Sequence, residues 1–351
     1  MVNSTPNIFH HAKSELSQDA FLAWLCEWAD MTCKDHPSGM HAIGRAFISW
    51  LYQRRQLHVP DYRSVDVKLQ EVHIDVLVIL ATTSGAKRYI LIEDKTYTSD
   101  HREQINGYLH ELTKKHALTD SDQVLTVYFK SSLEPKKSDE HLRLYLADIV
   151  EFITSLEQSR IDSEIFNSWC DVRLKEFAAH QAYLSRPVAE WESDQWYGCF
   201  DRMAGLVELE GTEPDYDYVH KADFIAFTLG WQPMPSAWYS YVQIVAGPGR
   251  SPALTFRLMA PDGTTVPGDR VRSAFATLQA VAASMGKQVS YPPSARGGGK
   301  SACFAVLNEP FMIDDRGMFN ETLMTEQLLM GKRMIEATGV IHIEQRPAQE
   351  P

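Results

Sequence analysis

Two apolar segments constrain this chain more than anything else in it: 72–80 (VHIDVLVIL) and 89–92 (YILI), separated by Thr82-Thr83-Ser84-Gly85. Aliphatic and β-branched residues at this density predict buried strands, and the glycine-bearing turn predicts that they pair antiparallel. Each strand also carries acid where acid is costly. Asp75 interrupts the first, and Glu93-Asp94-Lys95 closes the second. An ionised carboxylate in an apolar strand needs a counter-charge, a metal or a proton. Side chains alternate along a strand, so Glu93 and Lys95 take one face and Asp94 the other. Pairing across the turn places Asp75 near Glu93. Two carboxylates and an ammonium then meet, a set suited to Mg²⁺ or Mn²⁺ with an amine left to orient water.

The flanking sequence predicts what surrounds these strands. Ser17 is the expected N-cap of a first helix, whose face is Ala20, Phe21, Trp24, Leu25 and Trp28. After the turn-like Asp35-His36-Pro37-Ser38-Gly39, a second helix carries Ile43, Phe47, Trp50 and Leu51 on one side. Val65, Val67 and Leu69 alternate with polar residues as a strand does. Residues 100–115 read as a helix and 123–129 as a crossover strand; 146–156 and 165–184 read as helices. The order α-α-β-β-β-α-β-α describes an α/β sandwich with a mixed sheet. A boundary is expected near Ser185-Arg186-Pro187, giving domains 1–185 and 186–351. The second is expected to be α+β: a helix around 196–209, an acidic loop at 208–217, strands 239–245 and 253–259 joined by Gly247-Pro248-Gly249, helices 271–285 and 318–337, and a last strand at 340–343.

The conjunction of Asp75, Glu93-Asp94-Lys95 and the following Gln104-Ile105-Asn106-Gly107-Tyr108 resembles the PD-(D/E)xK nuclease superfamily, and its Q-x-x-x-Y resembles the RecB-like branch. The opening Glu15-Leu16-Ser17-Gln18-Asp19-Ala20-Phe21-Leu22-Ala23-Trp24-Leu25 is similar to the first helix of a bacterial stand-alone subfamily. The similarity covers roughly residues 10–160. It implies a restriction-endonuclease-like αβ sandwich and metal-dependent hydrolysis of phosphodiester bonds. Asp75 and Glu93, with the Asp94 carbonyl, are the implied ligands of one or two Mg²⁺ or Mn²⁺ ions, and Glu15 is the implied glutamate accompanying the metal. Lys95 is implied to position or deprotonate the water, and Gln104 and Tyr108 to orient Lys95 or the DNA backbone. No proline precedes Asp75, and Asp94 stands where many relatives carry Asn. The Asp94 side chain is expected to face away from the site.

Composition narrows the rest. Of 351 residues, 34 are Lys or Arg and 46 Asp or Glu, a net charge of −12. Residues 1–185 hold 20 basic and 26 acidic groups and the remainder 14 and 20, so each part carries −6. Non-specific, salt-driven affinity for DNA is expected to be modest, although metal at a site supplies its own positive charge. The five cysteines form no C-x-x-C pair, which argues against zinc and disulfides and for a reducing cytoplasm. No apolar run is long enough for a membrane span, and 1–15 lack a secretory pattern. Gly297-Gly298-Gly299-Lys300-Ser301 lacks the Walker spacing, since Ser294 stands where the first glycine belongs; a solvated turn is the simpler expectation, a phosphate contact the sharper one. His10, His11 and His41 have no ligand spacing. Phe21, Trp24, Trp28 and Trp50 are expected as core, as are Trp231, Trp238, Tyr239 and Tyr241. Lys114-Lys115 and Lys136-Lys137 are expected to be solvated, the latter flanking a groove at most.

A metal-dependent DNA nuclease is therefore the leading expectation, with RNA left open and a role in phage defence or phage DNA metabolism by analogy. One site per chain favours a homodimer. The competing expectations are a catalytically silent module of the same fold that binds nucleic acid or protein, and a sensor whose working part is the second region.

Overall fold

The computed structural model describes residues 7–11, 15–95, 104–118, 124–134, 140–156, 161–208, 214–219, 224–233, 238–260, 264–293, 295 and 297–339. Its chain separates into two compact units, 1–178 and 179–351. The expected strand at 340–343, Lys136-Lys137 and Ser294 lie outside the described residues.

The first unit is built on a five-stranded mixed sheet. Strands β1 (Tyr62–Glu71), β2 (Ile74–Thr82) and β3 (Lys87–Lys95) run antiparallel. Helix α3 (Gln104–His116) then carries the chain to β4 (Val124–Lys130), parallel to β3, and β5 (Leu142–Leu144) pairs parallel to β4. Sheet order follows chain order. Alternation assigns the two faces. Val76, Val78, Leu80, Ile90 and Ile92 enter one core with α1 (Glu15–Glu27) and α2 (Met40–Arg54), together with α4 (Leu146–Ser155) and α5 (Glu164–Gln181). Leu77, Ile79, Tyr89 and Leu91 enter the other, against Ile105 and Leu112 of α3. The aromatic stripe joins the larger core: Phe21 stacks on Trp169 at 4.4 Å, and Trp50 lies 5.0 Å from Phe152. Such ring pairs add about 1 kcal/mol each beyond their burial.

Two details differ from expectation. Helix α1 begins at Glu15, so Ser17 lies within its first turn instead of capping it. The short β5, three residues long, has too few positions to display a period. The β1–β2 turn is also unusual. Glu71 pairs with Ile74, leaving Val72 and His73 as a two-residue loop with φ of 46° and 67°. Hairpin loops of this length demand positive φ, and a β-branched residue resists it. Strain is thus held three residues before Asp75.

The second unit is a six-stranded antiparallel sheet, in the order β10 (Val289–Ser290), β11 (Ser301–Leu307), β9 (Ala253–Met259), β8 (Tyr239–Ala246), β7 (Phe224–Pro233), β6 (Asp215–Val219). Helices α6 (Ser193–Glu208), α7 (Gly268–Ser284) and α8 (Glu321–Gly339) pack on one face. That face supplies Phe227, Val242, Ile244, Leu254, Phe256, Leu258 and Phe304 to the core. Gly331 lets α8 approach, because a Cβ there would meet a Val242 methyl at 3.2 Å. The expected acidic loop gives way to β6 at Asp215, where Tyr216 turns into the core and Asp215 and Asp217 stay exposed. Among the described residues no helix is long and apolar enough to cross a membrane.

Candidate active site

The β2–β3 pairing ends at Val76 opposite Ile92. One position further on, Asp75 and Glu93 continue the row of Leu77 and Leu91, on the face that carries α3. Glu93 is fully buried. Its Oε1 lies 2.5 Å from Lys95 Nζ, and its Oε2 is buried with no hydrogen-bond donor among the described residues. Asp75 is held at both oxygens: Asp94 N–H donates to Oδ2 at 2.9 Å and Gln70 Nε2 to Oδ1 at 3.2 Å. Burial pushes the Glu93 carboxyl up to about 7, the Lys95 ammonium opposes the rise, and the Asp75 charge adds to it. Lys95 itself is disfavoured as a cation by burial. Glu93, then Asp75 and Glu15, outweigh that and hold its pKa above the ordinary value. Asp75, Glu93 and Lys95 therefore meet at one end of two adjacent strands.

Asp94 turns to the opposite face, as the period requires, and is fully buried there. Gln18 Nε2 donates to its Oδ1 at 2.5 Å, and Gln18 Oε1 accepts from Arg173 at 3.5 Å. Burial raises Asp94 well above the usual carboxylate range; Gln18 opposes this, while Asp19 and Asp75 reinforce it. Burial likewise brings Asp19 to about 7, with the charges of Asp75 and Glu15 adding. Glu15 and Asp19 are one helical turn apart, so α1 aims two carboxyls at the strand ends. Gln18 and Asp19 enter the sequence expectations only as part of the first-helix resemblance, and Arg173 not at all; none is given a site role there. Only the i, i+4 spacing of Glu15 and Asp19 could have drawn attention to the second acid.

Lys130 is a further member that the motifs miss. It pairs in register with Lys95 across β3 and β4 and is nearly fully buried. Its Nζ is 3.6 Å from Glu134, which also accepts from the Tyr128 hydroxyl at 3.1 Å. Burial lowers the Lys130 pKa against the pull of Glu134, Glu15 and Asp94. On α3, Gln104 Nε2 donates to the Tyr108 hydroxyl at 2.6 Å. The Tyr108 ring lies 6.3 Å from that of His73, in the strained turn before Asp75. His41 is occupied elsewhere, with Nδ1 2.9 Å from the Trp28 carbonyl.

Among the described residues no three His, Cys, Asp or Glu side chains are arranged as a ready metal cage. The donor set fits a divalent cation in a different way. A buried, donorless carboxylate oxygen beside a second carboxylate is a defect that a hard cation corrects, with the remaining ligands drawn from carbonyls and water.

A family model described as the PD-(D/E)XK nuclease superfamily matches residues 6–184. No curated protein and no solved structure matches the chain.

Proposed function

Because the chain belongs to the PD-(D/E)XK nuclease superfamily, we propose that it is a Mg²⁺- or Mn²⁺-dependent nuclease that hydrolyses phosphodiester bonds of DNA. The observation that carries this is the meeting of buried Glu93, Asp75 and Lys95, with Lys95 Nζ 2.5 Å from Glu93 and one Glu93 oxygen lacking a donor. Asp75, Glu93 and the Asp94 carbonyl would hold the ion, and Glu15 on α1 would accompany it. The bound ion supplies Lewis acidity toward water and phosphate. Lys95, kept charged by three carboxylates, orients the attacking water and offsets negative charge gathering on the phosphate. The Gln104–Tyr108 pair, whose tyrosine ring lies near His73 in the turn before Asp75, would orient Lys95 or the DNA backbone. Residues 1–185 would carry catalysis and 186–351 recognition of substrate or partner. A homodimer would place two such sites on two strands. Phage defence or phage DNA metabolism is the setting favoured by analogy.

Purified protein should degrade plasmid or linear DNA with Mg²⁺ or Mn²⁺ and stop with EDTA. Lys95→Ala should slow cleavage by at least about 100-fold while leaving the fold intact by circular dichroism. Parallel RNA and single-stranded substrates decide the polymer. Equal cleavage by parent and Lys95→Ala removes the assignment. DNA binding without cleavage under any divalent ion identifies instead the silent module.

A further inference from the structure

The face of the second sheet opposite α6, α7 and α8 carries a polar cluster that the nuclease centre does not use. Tyr241, Arg257 and Cys303 form one row across β8, β9 and β11, and Tyr239, Met259 and Ser301 form the next. Arg257 Nε donates to Ser301 Oγ at 3.1 Å, and the Tyr241 hydroxyl lies 2.8 Å from the same oxygen. Arg257 is half-buried, yet no carboxylate among the described residues pairs with it. A partly desolvated guanidinium without a counter-charge is costly, and its planar fork matches phosphate oxygens. Next to it, Gln243 is buried with an unpartnered Oε1.

The Gly297-Gly298-Gly299-Lys300-Ser301 strap explains how Ser301 arrives there. Gly297 has φ 70°, and a Cβ would meet the Val266 carbonyl at 2.5 Å. Gly298 N–H donates to Val266 O, and Val266 N–H to Gly299 O, both at 2.8 Å. The strap is thus pinned flat against residue 266. It hands an exposed Lys300 and the Ser301 hydroxyl to the edge of the Arg257 face.

We propose that Arg257, Ser301, Tyr241 and Lys300 form a seat for one backbone phosphate of a nucleic-acid strand. Charge complementarity selects this occupant. In a chain of net charge −12, a polyanion must be met by local cations; this face presents Arg257, and exposed Lys300 precedes Ser301 at its edge, neither with a carboxylate partner among the described residues. Tyr239, in the same row as Ser301 on the far side of Met259, offers an aromatic surface for a neighbouring base. The identity of the ligand rests on the nuclease function proposed above.

The test is binding of a labelled single strand to the full chain in EDTA, followed by fluorescence anisotropy over a salt series. Arg257→Gln should weaken binding about tenfold and lower the slope of log K against log salt by about 0.7. Arg257→Lys should fall between. Arg202→Gln removes the same charge from an Arg202–Glu321 pair on α6 and α8 and should change neither. If Arg257→Gln does not fold, Lys300→Gln at its exposed position carries the test through the same drop in slope. Parental affinity and slope in these variants, an equal loss in Arg202→Gln, or no strand binding by the parent overturns the seat. Loss of the nuclease assignment looks different: no divalent-dependent cleavage by the parent while EDTA-resistant binding and its Arg257 dependence persist.

Discussion

Glu93→Gln separates the cost of the buried carboxylate from its use. Folding lifts the Glu93 pKa from 4.5 to about 7, chiefly by burial. The folded chain therefore keeps this proton over a range where the unfolded chain has released it. Below pH 4.5 both states hold it and nothing is lost. Between 4.5 and 7 the folded state binds more protons, so stability falls as pH rises; above 7 the deficit is complete. At about 1.4 kcal/mol per pH unit the full deficit is about 3 kcal/mol. The glutamine has the shape of the protonated acid and no charge to bury. Metal-free Glu93→Gln should thus match the parent near pH 4.5 and exceed it by about 3 kcal/mol at about pH 8, or roughly 6–12 °C in Tm for a unit of this size. Urea unfolding of both proteins in EDTA, at steps between about pH 5 and about pH 8, measures the divergence directly. Mg²⁺ should then raise the parent at about pH 8 and leave Glu93→Gln unmoved. Parallel stability curves for the two proteins across that range would refute the account of Glu93 as a buried, under-partnered carboxylate.

Two other substitutions probe the surroundings. Asp94→Asn keeps the oxygen that accepts from Gln18 and removes a carboxyl already disfavoured as an anion, on the face away from Lys95. Cleavage should stay near the parental rate and Tm within about 2 °C, whereas Asp94→Ala strands Gln18 and should cost about 2 kcal/mol by urea unfolding. Gly44→Ala should destabilise by about 2 kcal/mol, because its Cβ would meet Ala29 N and Leu25 O at 2.7 Å where α2 crosses α1; an unchanged urea midpoint would mean the helices give way freely.

Local pairing made the centre of the first unit legible. Asp75 and Glu93 are joined by one hairpin, so strand period and turn chemistry suffice to bring them together. The face of Asp94 follows from the same period. The partners that complete the cluster come from far away in sequence: Gln18 is 76 residues from Asp94, and Arg173 is 155 from Gln18. No local pattern marks such pairs. Lys130 ends an apolar strand as lysines commonly do, and only its register beside Lys95 distinguishes it. The Q-x-x-x-Y spacing correctly puts Gln104 and Tyr108 on one helical face, yet their neighbour His73 is set by a turn that strand periodicity cannot describe.

The second unit shows a deeper limit of pattern. Along β8 and β9 the residues Tyr241, Gln243, Thr255 and Arg257 alternate with apolar ones, and alternation ordinarily marks a face in water. Here Tyr241, Gln243 and Thr255 are buried and Arg257 is half-buried. Sequence alternation distinguishes polar from apolar faces but not a solvated polar face from a desolvated one. The difference matters energetically, because a hydroxyl or amide in water costs nothing while the same group removed from water must find a partner or wait for one. Thr255 finds the Gln243 carbonyl at 2.8 Å, and Ser301 finds both Tyr241 and Arg257. Gln243 Oε1 has no such partner among the described residues. An uncompensated amide oxygen near a guanidinium that has a hydroxyl but no carboxylate partner among the described residues is costly for a sheet face to keep, since an aliphatic residue at either place would remove the desolvation cost. Retaining both polar groups on the face opposite the helices is consistent with a polar ligand rather than with packing.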